Sequence, residues 1–304
     1  MTDYKEQEEA ERKVYQQFIG KYFIQNQRQD KYAEWAGAMI EIPKQRYEEL
    51  IDLNSLMHQF ALIYRKHLEV QMNFIEIENT INEYKEQLET CSPRESGVIQ
   101  RLAFIDINRR LSNFLTSFNS LIYDFLAKYM VPELFGKKSE KAKEYVQKTN
   151  DWFSSNINGY KFIVTLRDYA THRNLPIQIV GFKFDYDKGK DQKLTVKPYV
   201  EFRKSTLQEN EKLGRKLKDE LDSLPDTFSL TPILDDIKIF IDEFLCDFVK
   251  FCGKMFTEMA DKLIQHYNTL DNPDLVSFGK VDLRGNVQHI YFQPDILKKI
   301  KECE

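Results

Sequence analysis

Glycine and proline are both scarce in this chain of 304 residues, which contains 11 and 9 of them. These numbers exclude a collagen-like chain, and they disfavour a loop-rich all-β fold, which needs turn residues about every 8–12 positions. The chain also lacks the run of about 18 apolar residues that a membrane-spanning helix requires, and no membrane partner is expected. Its polar, acidic beginning has neither the basic start nor the apolar core of a secretory signal, which favours a cytoplasmic protein.

Cysteine and histidine are also few, with four and five residues. The cysteines, at positions 91, 246, 252 and 303, form no Cys-x-x-Cys pair and no zinc-ligand spacing, so we expect reduced cysteines that pack in the interior. The sequences His-Glu-x-x-His, Gly-x-Gly-x-x-Gly, Gly-x-x-x-x-Gly-Lys and Gly-x-Ser-x-Gly are all missing. We therefore expect no cofactor and no metal, and local support for a zinc hydrolase, a nucleotide fold or an α/β-hydrolase is lacking.

Two heptad seams dominate the first half of the chain. Apolar residues recur at alternating steps of four and three along residues 56–88 and again along residues 104–125, which predicts two long helices. Pro93 and Gly97 predict a short turn between them, so the helices should run antiparallel and bury their Phe-rich stripes against each other. His67 is the strongly polar member of the first seam, and we expect a satisfied core histidine or a register device there.

A third helix is predicted over residues 139–172, ending before Pro176 because the residue before a proline avoids the helical region. Alternating apolar residues then predict a β-hairpin over about residues 177–203. Pro198 has no N–H to donate, so it should confine the second strand to a sheet edge.

The rest of the chain predicts more helix and one further hairpin. Helices are expected at residues 207–221, at about 232–267 and from Pro294, with the second hairpin at 275–292. The fold class is therefore mainly α, a helical bundle with long antiparallel helices and one or two small β-hairpin insertions. The scarcity of Pro- and Gly-rich linkers favours a single helical body over residues 1–304.

The charge is unevenly distributed. The whole chain has 44 Lys and Arg against 48 Asp and Glu, a formal charge of −4, whereas residues 155–205 carry ten basic and five acidic residues, or +5. A basic island in an acidic protein is typical of a phosphate-binding face. It is equally typical of solvated strands with lysines at their edges, so both interpretations stay open.

The segment Arg167-Asp168-Tyr-Ala-Thr-His172, near the end of the third predicted helix, carries the strongest chemical signal. Asp168 and His172 lie one helical turn apart, so the carboxylate can orient the imidazole and favour its protonated form. Arg167 has the planar fork that suits a phosphate. An arginine that stabilises the phosphorane and a histidine that moves the proton are the minimum set for metal-free RNA cleavage.

Helix electrostatics offer a second interpretation, because basic residues near a helix C-terminus stabilise the helix dipole. Spacing alone is also weak, since Arg284-Gly-Asn-Val-Gln-His289 repeats it. That second copy falls in the predicted hairpin at 275–292, so its side chains should not share a helical face. Helical context, a polar residue after the arginine and a helix end beyond His172 distinguish the first copy.

Arg167-Asp168-Tyr-Ala-Thr-His172 resembles the Arg-x4–6-His motif of the HEPN superfamily, in which Asn, Asp or His often follows the arginine. Asn108-Arg-Arg-Leu-Ser-Asn-Phe-Leu115 on a preceding helix is also similar to this family. HEPN domains are bundles of about four to five helices, and many are metal-independent ribonucleases of toxin–antitoxin and antiphage systems. The resemblance implies a core over about residues 45–176 with C-terminal helices at 205–270, and the hairpin at 177–203 as an insertion.

The resemblance further implies a homodimer whose site forms where two copies of the motif face one another. Arg167 and His172 would be catalytic, with Asp168 as the residue that orients the histidine. RNA is the implied partner, and an antitoxin or a nucleotidyltransferase would be further partners. The basic hairpin is not part of the common family core, and we expect it to help hold RNA. The residues expected to bind RNA are Arg173, Lys183, Lys193 and Lys197.

Two alternative functions remain. The chain could be a non-catalytic helical scaffold that binds a partner through its seams, or a nucleotide-sensing regulator that a nucleotidyltransferase modifies at Tyr169. Exposure and assembly discriminate between them. An enzyme needs Arg167 and His172 to be accessible and to meet their mates across a two-fold axis. A scaffold allows them to be buried in ion pairs or far apart.

Overall fold

The computed structural model describes residues 13–30, 33–172, 175–186, 194–209, 215–267, 276–284 and 286–304. These residues are mainly helical and include two small antiparallel sheets, so the predicted mainly α fold class with small hairpins is confirmed. The contacts divide the chain into two compact units, a first unit of Met1–Leu62 with Leu245–Glu304 and a second unit of Ile63–Phe244. Within the described ranges, no helix is long and apolar enough to cross a membrane.

Helices account for most of the described chain. In chain order they are α1 (Lys44–Thr90), α2 (Pro93–Asn119), α3 (Val131–Phe135), α4 (Glu140–Ser155), α5 (Tyr160–His172), α6 (Lys204–Gln208), α7 (Lys218–Ser223), α8 (Thr231–Phe251), α9 (Met255–Tyr267) and α10 (Pro294–Glu302). A π-helical segment, Ser120–Met130, joins α2 to α3, and a 3₁₀ turn, Ile157–Gly159, joins α4 to α5.

The strands form one sheet in each unit. In chain order they are β1 (Tyr22–Asp30), β2 (Ala33–Ile42), β3 (Ile179–Tyr186), β4 (Leu194–Arg203), β5 (Thr227–Ser229), β6 (Val276–Val281) and β7 (Val287–Tyr291). The first unit holds a sheet of order β2-β1-β6-β7, and the second unit holds a sheet of order β3-β4-β5.

Two side-chain hydrogen bonds join helices α1 and α2. The Tyr84 hydroxyl donates to Asp106 at 2.6 Å, and Asn73, earlier in α1, donates to Ser117, later in α2, at 3.0 Å. Burial and the hydrogen bond to Asp106 raise the pKa of Tyr84 to about 12, so its hydroxyl stays a donor at neutral pH.

His67 is a core histidine, as the sequence predicted. Its side chain is buried, and its Nε2 donates a hydrogen bond to the carbonyl oxygen of Ile241 on α8 at 2.7 Å. The imidazole ring also lies parallel to the ring of Phe244. His67 therefore belongs to the core of the second unit, because its buried ring donates to a backbone carbonyl and packs against an aromatic ring.

The predicted third helix is wrong in one respect, because residues 139–172 form two helices and not one. Asn156 adopts the left-handed conformation, with φ 46° and ψ 43°, and Gly159 also has a positive φ. Asparagine and glycine are the residues that tolerate this backbone, so the chain turns there. The Asn156 side-chain oxygen then accepts the backbone N–H of Lys161 at 3.0 Å, which caps the start of α5.

The hairpin predicted at about 177–203 is present as β3 and β4, but β4 is not an edge strand throughout. Its last residues, Glu201–Arg203, pair with β5, which places this end in the middle of the sheet. Pro198 lies before that stretch. The backbone N–H of Val196 points away from β3 and donates to Glu89. Residues two positions apart in a strand direct their N–H groups to the same side, so the position of the Pro198 nitrogen also faces away from β3. The missing N–H of Pro198 therefore falls where β4 has no strand beside it.

Two strands in the first unit were missed from the sequence. The predicted second hairpin forms as β6 and β7, but β6 also pairs with β1, so that Phe23 lies opposite Gly279. Phe23 and Phe278 are fully buried, and the Phe278 ring packs against Tyr47 and Phe292. The predicted helix from Pro294 is present as α10, whereas the long helix at 232–267 is broken at Gly253, where φ is 67°.

The expectation of four reduced cysteines is wrong for two of them. Cys246 on α8 and Cys303, which follows α10, form a disulfide with their Cα atoms 4.5 Å apart and a separation of 57 positions in the sequence. Cys91 and Cys252 are thiols. The two cysteines are far apart in the chain and their spacing follows no known motif, so this disulfide was not predictable from the sequence.

Candidate functional site

Helix α5 carries the Arg167–His172 motif in the second unit. Its buried face is formed by Tyr160, Ile163 and Leu166, at intervals of three residues, and all three are fully buried. This stripe fixes the helix against the core and leaves Arg167 and Asp168 on the side that remains partly exposed. Helix α5 ends at His172, so the helix end predicted just beyond the motif is confirmed.

Asp168 lies between two cations. Its Oδ1 accepts from Arg167 Nη1 at 3.3 Å, and its Oδ2 accepts from Lys216 Nζ at 3.2 Å. The side chains of Arg167, Asp168 and Lys216 are 28%, 33% and 35% exposed, so solvent reaches all three. Two positive charges beside one carboxylate leave a net positive charge, and an arginine with a neighbouring lysine is a donor set that suits a phosphate group.

Lys216 was missed in the sequence, because it stands 48 residues after Asp168. It lies just before α7, and its Nζ is also 6.0 Å from the ring centre of Phe153. A second contact between the same segments joins Lys161 on α5 to Glu220 on α7 at 2.7 Å. The residues around α7 therefore form one wall of the site.

The predicted contact between Asp168 and His172 stays a prediction. Both residues lie on α5, four positions apart, as the sequence indicated. The side chain of His172 lies outside what the structure describes. The hydrogen bonds of Asp168 go to Arg167 and Lys216, so this carboxylate holds the arginine.

Asn108 positions the chain that follows the motif. It lies on α2, is fully buried, and forms two hydrogen bonds with the backbone of Ile177. Its Oδ1 accepts the Ile177 N–H at 2.9 Å, and its Nδ2 donates to the Ile177 carbonyl at 3.2 Å. The Nδ2 group also donates to the carbonyl of Phe104 at 3.0 Å. The sequence signal for this role was an asparagine beside the apolar seam of α2, because a buried side-chain amide requires hydrogen-bond partners.

Of the residues expected to bind RNA, Lys183 and Lys197 are described, and Arg173 and Lys193 lie outside the described residues. Lys183 on β3 is directly opposite Lys197 on β4. Lys197 forms an ion pair with Asp185 at 2.8 Å, and this exposed contact raises the pKa of Lys197 and lowers that of Asp185. Both lysines are exposed, so they are available to a phosphate in exchange for local contacts.

Tyr169, the modification point of the regulator hypothesis, is buried. Its side chain is only 5% exposed, and burial, with the nearby Glu209 carboxylate, raises its pKa. A transferase would have to open the surroundings of α5 to reach this hydroxyl, so the described geometry does not favour modification there.

The second Arg-x-x-x-x-His sequence has a different environment. Arg284 is exposed in the turn between β6 and β7, and His289 lies on β7, as the predicted hairpin required. The His289 ring forms hydrogen bonds with Ser277 Oγ at 3.2 Å and with Tyr15 Oη at 3.3 Å. A serine beside a histidine resembles a nucleophile and its base, but Ser277 is 0% exposed, and no substrate could reach it.

Among the described residues, no group of three or more His, Cys, Asp and Glu side chains is arranged to hold a metal ion. Comparison of the whole chain with protein-family models, with curated proteins and with solved structures finds no match.

Proposed function

We propose that this chain is a metal-independent RNA endonuclease of HEPN type, a toxin or antiphage effector, with Arg167 and His172 as catalytic residues. The observation that carries the proposal is the placement of both residues on α5, with Arg167 partly exposed beside a second cation, Lys216. The helical bundle of such a domain would be built from α1, α2, α4 and α5.

The chemistry requires only groups that this chain supplies. His172, acting as base, would take the proton of a 2′-hydroxyl, whose oxygen attacks the adjacent phosphorus while the bond to the 5′-oxygen breaks. A water molecule would give a proton to that leaving oxygen, so each site needs one Arg167 and one His172. The products are a 2′,3′-cyclic phosphate and a 5′-hydroxyl. Arg167 would stabilise the charge on the phosphorane, and Lys216 would add to the positive potential around it.

Helix geometry supports a site shared by two copies of the chain. Arg167 and His172 are five positions apart, which is about 7.5 Å along the helix axis and about 140° around it. Two side chains that leave a helix in such different directions do not converge easily on one phosphate. In a homodimer with α5 near the two-fold axis, Arg167 of one copy and His172 of the other would face the same phosphate.

The β3–β4 hairpin would hold the RNA beside this site. Lys183 and Lys197 are exposed, and the hairpin follows α5 directly in the chain, with Arg173 and Lys193 adding to its basic character. Replacing Lys183 and Lys197 together by Glu should weaken RNA binding at least tenfold at low salt, because each phosphate contact adds to the affinity.

The test is cleavage of a mixed RNA pool in EDTA by three purified proteins: wild type, His172→Ala and His58→Ala. His58 is an exposed histidine of the first unit and serves as the matched control. We expect cleavage by wild type and His58→Ala, with 2′,3′-cyclic phosphate ends, and none by His172→Ala. Equal cleavage by all three would indicate a contaminating nuclease, and a wild-type dimer that cuts no RNA in the pool would overturn the proposal.

A further inference from the structure

The solvent face of the β3-β4-β5 sheet carries one aromatic ring among basic side chains. Strand residues alternate between the two faces of a sheet. One face, which includes Phe182, Val196 and Phe202, is buried. The other face presents Lys183, Lys197, Tyr199 and Arg203, and its lysines and arginine are exposed. The sheet therefore has a covered apolar side and an open side, on which Asp185 and Glu201 lie beside the three basic residues.

Tyr199 lies flat across this open face because its partner is a glycine. Gly181 on β3 is directly opposite Tyr199 on β4. A Cβ atom added at Gly181 would overlap the Cζ and Oη atoms of the tyrosine, so only glycine leaves room for the ring. One face of the phenol ring thus rests on the strand, and the ring itself is partly exposed.

A similar pair in the first unit shows what is particular about Tyr199. Phe23 on β1 is opposite Gly279 on β6, where an added Cβ would overlap the carbonyl oxygen of Gln288 and come close to the tip of the Phe23 ring. Phe23 is fully buried, so its ring serves the core. Tyr199 has the same relation to a glycine, but on the solvent face.

Basic residues surround the ring. Lys183 Nζ lies over the Tyr199 ring, 5.6 Å from its centre, so a base that stacks on the ring must displace this ammonium. Lys197 is directly opposite Lys183. Arg203 lies on the same face at the end of β4. Asp185 and Glu201 are the acidic residues of these two strands, and Asp185 is paired with Lys197. An aromatic ring with basic residues on the same sheet face offers one contact for a base and others for phosphates.

We propose that this face binds single-stranded RNA, with a base stacked on Tyr199 and the flanking phosphates held by Lys183, Lys197 and Arg203. The inference rests on the proposed function for the identity of the ligand. In a duplex both faces of each base are covered by its neighbours, so the Tyr199 ring can stack only on an unpaired base. Stacking accepts any base, so the site would select strandedness and not sequence.

The experiment measures binding without cleavage. All proteins carry His172→Ala and are kept in EDTA, and affinity is read from the fluorescence anisotropy of a labelled 12-nucleotide RNA. The probes are this single strand, the same sequence as a blunt duplex, and an abasic oligomer of equal length. The variants are Tyr199→Leu, Tyr199→Phe and, as a matched control, Tyr129→Leu, which removes an exposed tyrosine of the same unit.

Tyr199→Leu should weaken binding of the single strand by about tenfold to a hundredfold, and Tyr199→Phe by less than about twofold, because the ring and not its hydroxyl makes the stack. Neither variant should change binding of the abasic oligomer, which also shows that the lysines are still in place. Tyr129→Leu should bind like the parent. The inference is overturned if Tyr199→Leu binds the single strand as tightly as the parent, or loses the same factor on the abasic oligomer.

These outcomes separate the inference from the proposed function. Wild-type cleavage with no effect of Tyr199→Leu on binding would leave the nuclease standing and remove the stacking site. Tyr199-dependent binding by a chain that never cleaves RNA would leave the stacking site standing and remove the nuclease.

Discussion

The sequence Arg-x-x-x-x-His occurs twice in this chain, and the two copies lie in different backbones. Arg167 and His172 share helix α5, where the arginine is partly exposed and held by Asp168 beside Lys216. Arg284 lies in the turn after β6, and His289 lies on β7 with its ring bonded to Ser277 and Tyr15. The first copy keeps the Arg167 guanidinium partly exposed, whereas the histidine of the second copy forms hydrogen bonds with the hydroxyls of Ser277 and Tyr15.

The spacing of an arginine and a histidine in the sequence therefore predicts their chemistry poorly until the backbone conformation that carries them is known. The Asp282 carboxylate accepts the backbone N–H groups of Arg284 and Asn286, both at 2.8 Å, which fixes the turn of the second copy. No such local capture is needed on α5, because the helix itself satisfies the backbone. The side chains there are left to interact with segments from elsewhere in the second unit.

The largest expected difference between the copies is in cleavage. Arg167→Ala should lower the rate of RNA cleavage by about a thousandfold or more, because the charge on the phosphorane loses its main partner. Arg284→Ala removes an exposed arginine with the same spacing to a histidine and should cleave like wild type. Single-turnover cleavage in EDTA measures both. Equal losses in the two variants would mean that the distinction between the copies is mistaken.

The next effect concerns the stability of the unit that holds the second copy. Replacing Cys246 and Cys303 by Ser opens a loop of 57 residues, which should lower the free energy of unfolding by about 4 kcal/mol. Cleavage at low temperature should be unchanged, because these residues are outside the α5 site. Urea unfolding without reductant measures the loss, with Cys91→Ser as the control.

Thiol titration checks the same disulfide independently. The denatured protein should show two reactive thiols without reductant and all four after reduction. Four thiols in the unreduced protein would contradict the disulfide.

Asn108→Ala should lower the free energy of unfolding, and it should release the segment around Ile177 that follows the Arg167–His172 motif. It leaves the buried N–H and carbonyl of Ile177 without their partner, which should cost about 3 kcal/mol in the free energy of unfolding. Asn113→Ala, on the exposed side of the same helix, is the matched control. Urea denaturation reports the difference, and a loss below that of the control would show that Asn108 does not position this segment.

The smallest effect is expected at the histidine of the second copy. His289→Ala leaves the fully buried Ser277 hydroxyl without its ring partner, so the free energy of unfolding should fall by about 1–2 kcal/mol while cleavage is retained. Gln288→Ala, its exposed neighbour, is the control in the same unfolding experiment. A His289→Ala protein that is stable but cannot cleave RNA would transfer the chemistry to the second copy.

The elements predictable from the sequence were those that local pattern decides. The seams of α1 and α2, the end of α5 at His172 and the hairpins at 177–203 and 275–292 follow from apolar periodicity and breakers. The break at Asn156 was missed because asparagine is also common within helices, and only its left-handed backbone reveals the turn. Strand β1 was missed because its pairing with β6 joins residues as distant as Phe23 and Gly279.

The residues of the candidate site also divide into those that a local sequence pattern predicts and those that it does not. Arg167, Asp168 and His172 were found because they are neighbours on one helix. Lys216 and Asn108 were not, because one meets Asp168 across 48 residues and the other meets Ile177 across 69. No periodicity relates such positions, so only the tertiary structure shows that these residues lie together. Tyr199 belongs with them, because its significance comes from the glycine opposite it on β3.

The measurement that tests the central claim most directly is complementation between two inactive variants. Arg167→Ala and His172→Ala are purified separately, mixed under conditions that exchange subunits, and assayed for RNA cleavage in EDTA. A site that takes its arginine from one copy and its histidine from the other predicts that the mixture regains cleavage that neither variant has alone. A mixture of exchanged dimers that stays inactive would contradict a shared Arg167–His172 site.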